Sequence, residues 1–391
     1  MNAFQKCVVS LVSNAISSEQ VPYEKCNLPW DKLVLFAKKQ KISSQILYAV
    51  KKLNLEIPQK SLENLEKDVF QHVMLFEQQL YELARIEEAF QSAGIDYMLL
   101  KGLNIHKYYS EDFVRMMKDL DILIKTEQYD RIKTVLTGLG FKECKETKHE
   151  LIWKKGNVVL ELHKYIESPY NEDYFNYFKD GWSFAKKVDG SSKHYLSLED
   201  EFVFLLTHFA GHYRNSGIDI LHFVDLWLYK INNPDIDEQL IESALIKLNL
   251  LDFYNSVIKT LNVWFIGGEE DTVTDIITGN IFTKGVNRKY SVSVISGEAR
   301  KRRLTDKKKT SKFSIVLHML FPSCDALKYS NPILIKAPYL LPFVWVLRCL
   351  KFIINPKKIK EASKRLKCVN NENIDNYLND IKAVGLDFSK L

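Results

Sequence analysis

At 391 residues the chain is two to three average domains long, so more than one structural unit is expected. Its composition, 46% hydrophobic, 27% charged and 12% aromatic with 15 Gly and 10 Pro, supports buried cores and excludes collagen-like and wholly disordered classes. The formal charge of +6 is unevenly placed. Residues 284–312 hold 11 basic and two acidic residues, a local +9, which leaves −3 for the rest of the chain.

Residues 1–90 read as helical. Apolar residues recur at helical spacing through 30–53 (Leu33, Phe36, Ile46, Leu47, Val50) and again through 62–90 (Phe70, Val73, Phe76, Leu80, Leu83). From Gly94 the texture changes. Residues 95–100 form a short apolar run, 119–124 alternate, and Thr126 is the expected N-cap of a helix reaching Leu136, which Gly138 and Gly140 stop. Strands are then expected at 141–144, 151–154 and 158–165, with a turn at Lys155-Gly156-Asn157 between the last two. This order predicts an α+β, mixed architecture: a small mixed β-sheet over residues 91–190, flanked by N-terminal (1–90) and C-terminal (191–391) helical regions.

The C-terminal region opens with a capping signature, Ser197-x-x-Asp200, and continues as helices through 218–231 and 240–265. Residues 284–312 carry few apolar anchors and read as a long loop or arm. Their charge suits an anionic partner, nucleic acid or membrane surface, although no interleaved aromatics suggest base stacking. Helical texture returns at 313–320 and 340–354. Residues 337–347 are eleven uncharged residues, well short of the roughly 20 needed to span a bilayer, so a buried helix and no transmembrane segment are expected. A membrane-surface helix is the alternative, since Lys351, Lys357, Lys358 and Lys360 follow directly. The apolar patch at 7–12 is too short for a secretory signal, and the six cysteines contain no CxxC pair. Reduced thiols and a cytoplasmic location, in the alternative peripheral to a membrane, are expected.

The chemistry concentrates in three short stretches: Leu99-Leu100-Lys101-Gly102, then Arg115-x-x-x-Asp119-Leu120-Asp121-Ile122-Leu123-Ile124, then Leu160-Glu161-Leu162-His163. Residues i and i+2 of a strand share a face, so Asp119 and Asp121 project together, as do Glu161 and His163. Paired carboxylates in apolar company repel unless a cation joins them, and hard oxygen ligands suit Mg²⁺ with substrate phosphates. Three such acids can hold two ions about 3.5–4 Å apart for in-line displacement at phosphorus. An acid-x-acid pair alone is weak, since about six are expected by chance in this composition. Its setting inside an apolar strand, after a Lys-Gly turn and before a third acid, is what carries weight. Lys101 and Arg115 are candidate counter-charges for phosphate, and Gly102 permits close backbone approach.

That ordered set resembles the nucleotidyltransferases of the DNA-polymerase-β-like superfamily, and most closely the bacterial family labelled uncharacterised nucleotidyltransferase. The motifs span about residues 95–165, with a weaker likeness through His208-x-x-x-His212 and residues 217–225. The resemblance implies that Asp119 and Asp121 bind two Mg²⁺ (or Mn²⁺) ions, that Glu161 completes one site, and that Gly102 forms the phosphate turn. It further implies transfer of a nucleoside monophosphate from an NTP to an acceptor, which could be a small molecule, protein or RNA. Three departures stand out: Leu103 follows Gly102 where Ser or Gly is usual, the 17 residues from Gly102 to Asp119 exceed the interval of compact members, and Asp219 occupies a place expected to hold Arg.

His163 reads as lining the sheet or touching substrate. His208 and His212 share one helix face, but the sequence between them lacks the Glu of HExxH, which argues against protease chemistry. A structural or cleft role near Asp225 is favoured over a zinc site. The rival readings are a catalytically silent, nucleotide- or partner-binding relative, and a binding module built around 284–312.

Overall fold

The computed structural model describes residues 1–17, 21, 29–169, 171–215, 217–284, 295–300, 302, 317, 320–328, 331, 333–353, 355 and 370–387. Asn2 and Gln5 form a capping box that starts α1 (Ala3–Ile16), whose buried face of Val8, Leu11, Val12 and Ala15 packs on α3. The helical stretch expected over 30–53 is two helices, α2 (Trp30–Gln40) and α3 (Ser43–Lys52). Lys41 ends α2 with φ of 61°, a left-handed cap that reverses the chain. After Pro58, α4 (Gln59–Ser92) runs 34 residues, about 50 Å.

Seven strands follow: β1 (Tyr97–Leu99), β2 (Leu120–Ile124), β3 (Lys142–Glu146), β4 (Glu150–Lys155), β5 (Val158–His163), β6 (Lys186–Lys187) and β7 (Lys193–Tyr195). Their order in the mixed sheet is β3-β4-β5-β2-β1-β7-β6. The β2–β5 and β1–β7 pairs are parallel, and the others antiparallel. Between β1 and β2 lies the short α5 (Gly102–Ile105), and between β2 and β3 lies α6 (Tyr129–Gly138). Thr126 is not the N-cap of α6. It starts a single 3-10 turn that leads into the helix, without a side-chain cap.

One sheet face meets α4 and α6 through Leu120, Ile122, Ile124, Leu160 and Leu162 against Phe76, Leu83, Ile86, Phe90, Ile132 and Leu136. The opposite face contributes Met98 and Leu123 to a larger core. That core is shared by α1–α3 and the C-terminal helices α8 (Leu198–Asn215), α9 (Ile220–Asn232), α10 (Glu238–Lys247), α11 (Leu251–Phe265) and α12 (Thr272–Lys284). N-terminal and C-terminal helices therefore bury one another. Gln40 illustrates this: its side-chain amide donates to the Ile281 carbonyl and accepts from the Ile220 amide. A short helix, α7 (Glu172–Phe178), joins the same core through Tyr174 and Phe178.

The Ser197 cap is present, with Ser197 Oγ accepting from the Asp200 amide at 3.1 Å. The helix expected over 240–265 is broken into α10 and α11 at Asn249, whose φ is 53°. Two expectations change more substantially. Residues 295–300 of the basic segment are helical rather than looped, with Ala299 fully buried and Arg302 buried against Asp375 and Asn371. The remainder of 285–312 and most of 313–320 lie outside the described residues. The apolar run near the C-terminus does form a helix, Leu341–Ile353, but it is not buried: Tyr339 is 79% exposed, Phe343 69% and Val346 58%. An apolar stretch without polar alternation specifies no particular buried face, and here Val344 is buried in a small local core with Leu327 and Leu334, against which Leu340, Leu341 and Trp345 pack half-buried. Among the described residues no helix is long and apolar enough to cross a membrane. Cys7, Cys144, Cys324 and Cys349 are free thiols, and Cys26 and Cys368 lie outside the described residues.

Candidate active site

Parallel pairing sets Asp121 of β2 beside Glu161 of β5, and Leu123 beside His163, so the sheet presents a row of ionisable groups on its α8-facing side. Leu120, Ile122, Leu160 and Leu162, which alternate with them, fill the core on the other side. Asp119 sits one residue before β2 and lines the same cleft. Asp121 is buried. Its Oδ1 accepts from Lys101 Nζ at 2.9 Å and is 2.6 Å from His163 Nε2. His163 Nδ1 lies 3.1 Å from His149 Nε2, extending the chain of contacts to the β3–β4 turn.

The electrostatics are those of a carboxylate cluster with too few cations. Burial opposes ionisation of Asp121, but Lys101 and His163 overcome it and hold the group well below the usual carboxylate range. Asp119 is raised by burial and by repulsion from Asp121. Glu161 is pushed up to about 8, by burial first and then by Asp119, Asp121 and Glu150. His149 is lowered to about 3 by burial and by His163 and Lys101. The donor set fits a hard divalent cation: ligand atoms of Asp121, Glu161 and His163 all lie within 4.8 Å of one another, and two of the three are carboxylates that repel in its absence.

Lys101 has φ 52° and ψ −119°, a backbone conformation that residues other than glycine rarely hold. Its Nζ, tied to Asp121, helps keep it there. Gly102 is required by a neighbour: a Cβ at this position would sit 2.4 Å from Arg115 Nη1. Arg115 is itself buried and bound bidentately to Asp225, with Nε to Oδ1 at 2.8 Å and Nη2 to Oδ2 at 2.7 Å. Tyr109 donates its hydroxyl to the same Asp225 Oδ1 at 2.7 Å. Arg115 thus lines the cleft, while its charge is matched within the protein.

The cleft has a volume of about 960 Å³ and reaches from these acids to α8, α9 and the 295–300 helix. His208 and His212 face it from α8, joined by His222 from the first turn of α9. Asp219, where an Arg was expected, is paired with Lys41 at 2.8 Å, so a cation does reach this position, from the end of α2. Arg300 reaches the cleft from the basic segment. Glu167 lines it too, 3% exposed, with its carboxylate accepting from Thr207 Oγ1 at 2.8 Å and raised to about 7 by burial.

The profile of the family described as uncharacterised nucleotidyltransferase matches residues 27–266, more than half of the chain. The chain belongs to this family of nucleotidyltransferases. The matched span begins before α2 and ends with α11, so α2 to α4, the sheet and the cleft-lining α8 and α9 all fall within the family unit, while α1 precedes it. Among solved structures, the solution structure of the antibiotic-resistance factor ANT(2'')-Ia is similar over 43% of this chain and 89% of that chain, with 12% identity and a TM-score of 0.33. No functionally curated protein matches.

Of the residues singled out in the sequence, Lys101, Gly102, Arg115, Asp119, Asp121, Glu161, His163, His208 and His212 all line this one cleft. Sequence reasoning missed Lys41, His149, Glu167 and His222. Lys41 and His149 carry no local signal, because distant loops bring them in. His222 did carry one: three of the nine histidines fall within residues 208–222.

Proposed function

We propose that this nucleotidyltransferase transfers a nucleoside monophosphate from an NTP to an acceptor nucleophile in a metal-dependent reaction, releasing pyrophosphate. The observation that carries the reading is the parallel β2–β5 register, which sets Asp121 against Glu161 with Asp119 on the same cleft wall. Asp119, Asp121 and Glu161 would hold two Mg²⁺ ions, with Mn²⁺ as the substitute. Such ions supply charge neutralisation on the phosphates and on the leaving oxygens.

The protein's own residues account for the rest. Lys101 and His163 keep Asp121 ionised, so the cluster is ready to take a cation. The Lys101–Gly102 turn offers the triphosphate a close approach, and Lys101 adds a positive charge beside it. Arg115 acts through position: locked to Asp225, it fixes the turn that carries Gly102. A cleft of about 960 Å³ is large enough for a nucleotide and an acceptor together. Lys41, from the N-terminal helices, and α8, α9 and Arg300, from the C-terminal region, wall the side where the acceptor would enter. Catalysis of this type is largely positioning and electrostatics.

The deciding experiment incubates the protein with Mg²⁺ or Mn²⁺, each α-labelled NTP and a cell extract, beside an Asp119→Ala/Asp121→Ala control. Label is expected on a product of the wild type alone. If label moves equally in the control, or in neither, the transfer reading fails and a catalytically silent, nucleotide-binding relative takes its place.

A surface-associated variant of this reading rests on the exposed apolar residues Tyr339, Phe343, Val346 and Leu347, in a stretch that the sequence bounds with Lys336 and Lys351. It places the enzyme at a membrane surface with its cleft free. Flotation with anionic vesicles, lost on Phe343→Ser/Val346→Ser, is the expected result. Absence of flotation refutes the association.

A further inference from the structure

The three histidines at the far wall of the cleft are not needed by the carboxylate site, and their arrangement has its own chemistry. His208 and His212 lie one helical turn apart on α8, with ring centroids 4.4 Å apart. His222 enters from α9, its centroid 5.3 Å from that of His212 and 6.4 Å from that of His208. One ring nitrogen from each can be chosen so that all three lie within 4.8 Å of one another. Three nitrogens bound to one zinc ion at 2.0–2.1 Å in tetrahedral geometry would be separated by about 3.3–3.4 Å, so small side-chain rotations close the site.

A second observation comes from within the cluster. The Nδ1 of His222 is buried with no hydrogen-bond partner in the structure, although a buried ring nitrogen ordinarily has one. The packing that would make these rings ordinary core histidines, such as the stacking of His222 on Phe209 at 6.0 Å and 15°, holds the ring in place without satisfying that atom. Burial keeps His208 and His222 neutral, the form that coordinates a metal.

We infer that His208, His212 and His222 form a three-imidazole site for a borderline transition-metal ion, zinc in the first instance, separate from the hard-cation site on Asp119, Asp121 and Glu161. All-imidazole ligation suits Zn²⁺ and does not suit Mg²⁺. Three protein ligands leave a fourth position, and all three histidines border the cleft, so that position is open to a water or to an oxygen or nitrogen donor of a bound molecule. Its occupation by the acceptor rests on the nucleotidyl-transfer reading. The metal site itself does not, and it is tested without any nucleotide.

A neighbouring group, His149, Glu150 and His163, also brings its ligand atoms within 4.8 Å, but it holds only two histidines. The imidazole count therefore separates the two. Metal-free full-length protein is titrated with Zn²⁺ by calorimetry, and the loaded wild type is examined by zinc X-ray absorption. One equivalent bound with three imidazole scatterers is expected. His212→Ala and His222→Asn should each weaken binding by at least about 100-fold, given that removing an outer-shell partner alone typically costs 10–100-fold. His163→Ala and Asp121→Asn should change it less than about twofold, with circular dichroism confirming the fold of every variant. No zinc uptake, a shell of two or fewer imidazoles, or binding lost in His163→Ala but kept in His222→Asn overturns the site. The absorption result on the wild type decides the matter even if a variant fails to fold.

Discussion

Replacing Gly102 by alanine tests how the Lys101–Gly102 turn is held. The new Cβ would lie 2.4 Å from Arg115 Nη1, 3.1 Å from Cζ and 3.3 Å from Nη2. Ordinary contact begins at 3.4 Å, so the guanidinium must retreat by about 1 Å. A free arginine tip would do so at little cost. This one is buried and fixed by bonds of 2.8 and 2.7 Å to Asp225, which Tyr109 also holds. A displacement of about 1 Å of the guanidinium disturbs the geometry of both bonds. Overpacking costs about 1–3 kcal/mol and a broken buried pair about 3–5 kcal/mol, so a partial break should destabilise Gly102→Ala by about 2–4 kcal/mol. Urea unfolding followed by circular dichroism measures it. The same substitution placed in an Arg115→Met/Asp225→Asn background, where no fixed guanidinium remains, should cost less than about 0.5 kcal/mol. A small cost in the wild-type background, or equal costs in the two backgrounds, would show that the guanidinium is not fixed against Gly102.

Other consequences follow from neighbouring groups. Tyr109→Phe removes a buried hydrogen bond to a charged acceptor and should lose about 1.5–3 kcal/mol in the same unfolding assay; no change would show that Asp225 does not depend on it. Glu167 gives a pH signature. Its folded value of about 7 lies above the ordinary 4.5, so the folded state holds its proton longer than the unfolded chain, and stability falls as pH rises from about 4.5 to 7, by about 3 kcal/mol in all. Glu167→Gln should lack that fall while its amide oxygen still accepts from Thr207, and unfolding curves at pH 5 and pH 8 showing the same fall in both proteins would contradict the assignment. Asp121→Asn and Glu161→Gln should each lower transfer by at least about 100-fold; Glu161→Gln relieves carboxylate repulsion and should cost little folded stability, whereas Asp121→Asn takes the partner from buried Lys101 and should be destabilising, and unchanged turnover in steady-state assays would remove these residues from the site.

The carboxylate site was legible because strand periodicity is short and local. Asp119, Asp121, Glu161 and His163 fall at i, i+2 positions in segments whose alternate residues are Leu or Ile, and only the parallel β2–β5 register had to come from the structure. The helical flanks were legible from apolar spacing, but their breaks at Lys41 and Asn249 were not, because each depends on one non-glycine residue held at positive φ. Strands β6 and β7 escaped because two or three residues rich in Lys and His carry no alternation. Arg115 illustrates a subtler limit. Its sequence position suggests a free cation for phosphate, and only the partner Asp225, 110 residues away, shows that its charge is already matched. The helix Leu341–Ile353 shows that an apolar composition measures the tendency to leave water without naming the surface that receives it.

Nucleotidyl transfer at the Asp119–Asp121–Glu161 cluster is tested by comparing α-labelled with γ-labelled NTP in the presence of Mg²⁺. Label is expected on the acceptor from the α-labelled nucleotide only, with pyrophosphate as the co-product and loss of both in Asp121→Asn. Label arriving from the γ position, or transfer that persists in Asp121→Asn, would contradict it.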